Sequence, residues 1–147
     1  MTTLTHLHPS SAFFQAYAAL DVDRMAEVCT RDATLRYVPL GKRANGFVFN
    51  DGIALWRETI ESFDAFTVDV RWIRLDQLGN AYCEVFTGGR QAKDAFGVEN
   101  RGRDVWLEQL YILHASWDGR IDRLTAYWDQ AEFYRQLGKA TIEDPLF

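Results

Sequence analysis

Two titratable residues interrupt one face of a largely apolar strand in the C-terminal third of the chain. Between Val105 and Ser116 the alternation places Trp106, Glu108, Leu110, Ile112 and His114 on one face and Val105, Leu107, Gln109, Tyr111 and Leu113 on the other. A carboxylate on so apolar a face is expected to lose water. Desolvation raises its pKa toward the range in which a general acid or base works near neutral pH. Glu108 is therefore the first candidate for proton transfer. The competing reading is an ion pair with an arginine such as Arg123 across the hairpin, or a place in a subunit interface. His114 shares the face but stands six residues further on. At ~3.3 Å per residue that is ~20 Å, too far to act with Glu108 on one substrate atom. Its place near a turn fits a hydrogen-bonded or surface histidine better than a catalytic one. His6 and His8 lie at the polar N-terminus, so the three histidines make no convincing metal site.

The elements that must hold these residues follow from local signals. Asp118-Gly119 lies between two alternating apolar runs and predicts a hairpin of Val105–Ser116 with Ile121–Trp128, turned by a type I′ pair at positive φ. Both faces of this hairpin are mostly apolar, which predicts cover on two sides, by helices and by another subunit. Pro9-Ser10-Ser11 starts a helix bearing Phe13, Tyr17 and Leu20, and Asp21 caps a second with Met25 and Val28 facing the core. A strand at about Ala33–Pro39 and a glycine-containing loop, Leu40 to Gly46, come next, then a short strand, Phe47-Val48-Phe49. Asn50 or Asp51 caps a helix with Ile53, Trp56, Ile60 and Phe63 at core spacing. Strands Phe66–Leu75 and Ala81–Arg90 precede a polar, flexible connection from Gly88 to Gly102, and a final helix ends at Gly138. Helices first and long antiparallel strands after them are the α+β pattern: a cone-shaped curved sheet closed by the N-terminal helices.

Composition narrows the function classes. The 147 residues are 48% apolar, which suits one domain with a substantial core, flanked by flexible tails at 1–9 and 139–147. A net charge of −5 without a basic run argues against nucleic acid and against an anionic membrane surface as partners. No stretch reaches the ~18 apolar residues of a membrane span, and the N-terminus lacks a secretory signal pattern, so a cytoplasmic protein is expected. Cys29 and Cys83 lack metal-ligand spacing and a partner pattern and read as reduced, small hydrophobic residues.

A family resemblance then enters on specific residues. The helix pair ending Arg31-Asp32-Ala33-Thr34 and the loop around Pro39 and Gly41 carry part of it. The rest is the run from Trp117-Asp118-Gly119-Arg120-Ile121 through Tyr127-Trp128-Asp129 to Arg135-Gln136-Leu137-Gly138. Together they resemble the nuclear transport factor 2-like superfamily, and more narrowly its SnoaL-like polyketide cyclase and ketosteroid isomerase-like branch. The resemblance covers about residues 10 to 138. It implies the cone fold and says less about reaction, because the superfamily includes isomerases, epoxide hydrolases, dehydratases, aldol-type cyclases and members without catalysis. The cyclase and epoxide hydrolase aspartate of the last strand falls on Ala126, and the ketosteroid isomerase base falls on Val38; neither moves a proton. Asp129 matches a recurring family aspartate but stands where a helix cap is needed. The resemblance also implies pocket phenols near Tyr17 and Tyr37, able to donate to a developing enolate oxygen. Either tyrosine could equally be a core residue.

Two classes of function remain open. The first is a cofactor-free enzyme moving protons on a polyketide-, steroid- or terpene-like substrate, with Glu108 as base, Tyr17 or Tyr37 as electrophilic partner and His114 as a further candidate. Phe13, Trp56, Trp106, Ile112, Ala126 and Trp128 are the expected ligand-binding lining. The second is a non-catalytic binding or dimerisation module of the same fold, favoured by the loss of acids at Val38 and Ala126. No metal or cofactor is expected. An apolar outer sheet face costs ~25 cal/mol per Å² in water and predicts a homodimer.

Overall fold

The structure, a computed structural model, describes residues 8–139. The expected flexible tails, with His6, lie outside the described residues except for His8, Pro9 and Lys139. Helix α1 (Ser10–Ala18) buries Phe13, Phe14 and Tyr17, and α2 (Val22–Glu27) buries Met25 and begins where the Asp21 carboxylate accepts from the Arg24 amide. Leu20, expected on the core stripe, is exposed at positive φ and ends the first helix instead. Strand β1 (Cys29–Tyr37) stops before Pro39, which lies in a 3₁₀ segment spanning Val38–Ala44. The short strand is β2 (Asn45–Phe47), and α3 (Ile53–Ser62) follows a single π turn. No side chain caps α3: the Asp51 carboxylate accepts from the Phe47 amide instead.

Four long strands complete a six-stranded sheet: β3 (Phe63–Leu75), β4 (Asn80–Gln91), β5 (Asp104–Ala115) and β6 (Ile121–Tyr127). Their order is β2-β1-β6-β5-β4-β3, antiparallel throughout except where β1 runs parallel to β6. The sheet is bent so that its concave face wraps the helices. On β3 the bend is a register shift between Asp64 and Thr67 with Ala65 at φ 54°. On β4 it falls at Gly88, where a Cβ would stand 1.8 Å from the carbonyl oxygen of Val105, so only glycine fits. Cys29 and Cys83 are free thiols in the core, and burial pushes both up to about 12. No described helix is long and apolar enough to cross a membrane.

The β5–β6 connection differs from the expected type I′ pair. Only Gly119 is at positive φ (83°). The Ser116 amide donates to the Arg120 carbonyl and the Gly119 amide to the Ser116 carbonyl, which makes a longer loop closed by a glycine bulge. Helix α4 (Gln130–Leu137) starts at Asp129, whose carboxylate accepts from the Glu132 amide, and ends at Gly138 with φ 87°. The Gln136 side chain receives the Trp106 amide at 2.7 Å and donates to the Trp106 carbonyl at 3.1 Å. That pair fixes α4 against the start of β5 and closes one wall of the cone.

The two faces of β5 have opposite fates. Val105, Leu107, Gln109, Tyr111 and Leu113 are buried against the helices. Trp106, Glu108 and Leu110 are exposed on the convex face, with Ile112 and His114 half-buried beside them. No described helix covers that face. Among the described residues nothing supplies the expected second cover.

Candidate functional site

The concave face, α1, α3, α4 and two loops enclose a cavity of about 60 Å³. Its polar end is built by a row across three strands. Ala126 on β6 pairs with Tyr37 on β1 and with Tyr111 on β5, so a small residue separates two large phenols. The space above Ala126 lets the rings converge: the Tyr111 hydroxyl donates to the Tyr37 oxygen at 3.4 Å. The Trp56 Nε1–H of α3 donates to the same oxygen at 2.7 Å. Tyr17 comes down from α1, and its hydroxyl faces the same cluster. All three phenols line the cavity, with Trp128 packed edge-on against Tyr37.

Protonation follows from burial. Desolvation pushes the Tyr37 phenol up to about 12, against the opposing effect of hydrogen bonds from Tyr111 and Trp56. Burial raises Tyr17 and Tyr111 well above the ordinary phenol value; Tyr37 adds to both and Tyr17 adds to Tyr111, while Tyr111 opposes the rise at Tyr17. At neutral pH the cluster is therefore a set of O–H groups, which give hydrogen bonds and do not take protons. Indole N–H is a donor only. With Trp56 and Tyr111 both donating to the Tyr37 oxygen, the proton of Tyr37 itself is left for an acceptor in the cavity. On the opposite wall the Thr87 hydroxyl donates to the Gln109 Oε1 at 3.0 Å, leaving the amide N–H groups of Gln109 to donate elsewhere. Among the described residues lining the cavity there is no carboxylate, imidazole or amine. Among the described residues no His, Cys, Asp and Glu side chains are grouped to hold a metal ion.

This geometry sorts the residues expected from sequence. Tyr17, Tyr37 and Trp128 line the cavity. Trp56 stands one layer behind, orienting Tyr37, and Phe13 packs edge-on against Trp56 at 5.5 Å. Ala126 is fully buried beneath the phenols. Glu108, Trp106 and Ile112 are corrected: they stand on the convex face, away from the cavity. A strand has period two, so assigning the wrong face moves the whole set together. Nor does Glu108 meet Arg123, which pairs opposite His114. Its carboxylate neighbour is Glu84, whose pKa it raises by hydrogen bonding, with desolvation and charge repulsion adding and Arg71 opposing. His114 lies at the far end of the sheet, its Nδ1 bonded with Asp122 at 2.7 Å and its Nε2 against the Leu78 carbonyl at 3.1 Å. It holds a turn. Asp129 is a helix cap.

Sequence reasoning missed Tyr111, Gln109 and Thr87. A signal was present: Gln109 and Tyr111 sit at i, i+2 on the one face of β5 that carries no charge.

Comparison with solved structures places the arrangement. No protein-family model and no curated relative matches the sequence. A SnoaL-like candidate polyketide cyclase from Shewanella denitrificans superposes with a TM-score of 0.73 at 14% identity, over 91% of this chain and 96% of that one. IdmH, a candidate polyketide cyclase from Streptomyces antibioticus, gives 0.74 at 18% identity, over 93% and 99%. A ketosteroid isomerase-like protein from Catenulispora acidiphila, solved with trimethylamine, gives 0.73 at 13% identity, over 89% and 92%. The chain has the same α+β cone fold as these SnoaL-like and ketosteroid isomerase-like structures. Within this SnoaL-like frame, Ala126 is the centre of the phenol row, and Val38 is half-buried in the 3₁₀ segment just beyond Tyr37. The two positions to which the resemblance assigns acids thus flank Tyr37, and both are aliphatic.

Proposed function

We propose that the cone binds a small, flat, apolar molecule through a carbonyl oxygen, which the Tyr37 hydroxyl holds with help from Tyr17, Tyr111 and the Gln109 amide. The observation that carries this reading is the direction of the hydrogen bonds at Tyr37. Two donors converge on its oxygen and leave its proton for the cavity, and the lining around it is otherwise largely aromatic and aliphatic. Fixed neutral donors in an apolar pocket stabilise negative charge developing on an oxygen. On a chain with two carbonyls flanking a methylene, the same contacts favour the enolate. The methylene proton leaves to water, the carbon bonds to a second carbonyl carbon, and the resulting alkoxide takes a proton back from water. The described lining of the cavity holds and polarises; it supplies no base. A non-catalytic binding module is the second reading, and Val38 and Ala126 favour it.

The test is fluorescence titration with 2-naphthol and naphthalene. Binding should favour the naphthol, and Tyr37→Phe should weaken it by about tenfold, the equivalent of one hydrogen bond at ~1.4 kcal/mol. Equal affinity for the two compounds would sink the reading. To separate catalysis from binding, deuterium exchange α to the carbonyl of bound 2-tetralone is followed; exchange no faster than in buffer leaves the binding module.

We also read the whole chain as one cytoplasmic domain that pairs through its convex sheet face. Trp106, Leu110 and Tyr127 are among its large exposed hydrophobics, and Phe86 stacks on Trp106 beside them. Light scattering should give a dimer that Leu110→Glu dissociates; a monomer at all concentrations refutes it.

A further inference from the structure

Leu40, Leu55 and Phe96 line the cavity and also line an adjoining groove of about 380 Å³. These three side chains stand between the two spaces. Alone, the cavity is far below the ~300–1,000 Å³ of small-molecule sites; continuous with the groove it falls within that range.

Phe96 stands on a backbone that L residues avoid. It has φ 54° and Gly97 has φ 76°, between Ala95 and Val98, whose amides and carbonyls exchange hydrogen bonds of 3.1 and 2.9 Å. A two-residue turn with both central φ values positive ordinarily takes Asn, Asp or Gly at its first position. Phenylalanine there is conformationally unfavourable, and what it gains is a ring placed over the cavity. The rest of the segment is anchored. The buried Gln91 amide donates to the carbonyls of Lys93 at 3.2 Å and Val98 at 2.9 Å, and the Lys139 ammonium donates to the Gly97 carbonyl at 2.9 Å.

We propose that cavity and groove are two compartments of one binding site with Phe96 as the gate between them, and that the ligand is elongated. Its flat carbonyl end lies under the phenols. Its other end, in the groove beside Asp51 and Glu58, is a hydrogen-bond donor, a hydroxyl or an amine. The ligand class rests on the carbonyl-binding reading above; the gate rests only on the partition.

Xenon tests the gate without reference to any carbonyl. By ¹²⁹Xe exchange spectroscopy, entry to the cavity should quicken at least tenfold in Phe96→Gly and in Phe96→Ala, two variants in case one fails to fold. The on-rate of 2-naphthol should rise with it. Xenon exchange unchanged in both variants overturns the gate even if naphthol binds as expected. Faster xenon exchange without preference for naphthol over naphthalene keeps the gate and removes the carbonyl reading. For the groove, 6-(2-aminoethyl)-2-naphthol should bind about tenfold more tightly than 2-naphthol, and Glu58→Gln should erase the difference. Equal binding of the two in the native protein overturns the elongated ligand.

Discussion

Replacing Tyr37 by phenylalanine removes one oxygen and leaves the ring, so its packing on Trp128 and Tyr111 survives. What is lost is the acceptor of the Trp56 indole N–H. That tryptophan is 0% exposed, and its 2.7 Å bond to Tyr37 is the indole's hydrogen bond in the structure. A buried donor stripped of its partner costs about 1–3 kcal/mol, more than the net worth of the bond itself. We therefore expect Tyr37→Phe to lower stability by about 2 kcal/mol. For a domain of this size each kcal/mol moves the melting midpoint by roughly 3–4 °C, which gives a fall of roughly 6–8 °C by calorimetry. Tyr17→Phe is the control: it removes a phenol from the same cluster without orphaning an indole and should cost about half as much.

The double variant Tyr37→Phe with Trp56→Phe decides whether the cause is right. Trp56→Phe alone leaves a cavity, but in the double variant no orphaned N–H remains. The two losses should then fall short of additivity by about 1–2 kcal/mol. A melting midpoint within one degree of the native protein for Tyr37→Phe, or simple additivity, would refute the reasoning. In that case water in the cavity satisfies the indole, and the Tyr37 proton has no enforced direction.

Ala126→Asp should place a carboxylate between the Tyr37 and Tyr111 hydroxyls and supply the base that the cavity lacks; α-exchange of 2-tetralone should rise above the native protein's, and no rise would show that the row is not where the carbonyl binds. The raised pKa of Glu84 means that the folded state holds its proton more tightly than the unfolded chain does, so its unfavourable contribution grows as pH rises from the ordinary carboxylate value, 4.5, through the raised one, and is complete above it. Glu84→Gln should therefore raise the melting midpoint at pH 7 and leave it unchanged below pH 4.5; a shift equal at both pH values would point to packing instead. Gly88→Ala forces a Cβ against the Val105 carbonyl and should cost about 3 kcal/mol or more in urea unfolding, since backbone must move to admit it.

The parts of this fold that could be read from sequence are those with local causes. Asp21 and Asp129 accept from amides three residues on, and Gly138 takes the left-handed conformation that ends a helix; each signal and its effect lie within one turn. The site has only part of a local cause. Tyr111 meets Ala126 across the β5–β6 hairpin, but Tyr37 joins them only because β1 runs beside β6 in the parallel sense, a pairing between strands that are far apart in the chain. The choice of face on β5 was a different kind of problem. Taken alone, that strand is apolar on both sides, and a single carboxylate looks buried. Taken with its neighbours, the charged positions line up: Arg36 on β1, Arg123 on β6, Glu108 on β5 and Glu84 on β4 all fall on one face. The opposite face carries Leu35, Leu124, Tyr111 and Val85 and no charge. Burying four charges costs far more than exposing a few aromatic rings, so the sheet as a whole has one dry side. Glu108 is wet because of Arg36, Arg123 and Glu84, and the chemistry of the cavity is neutral for the same reason.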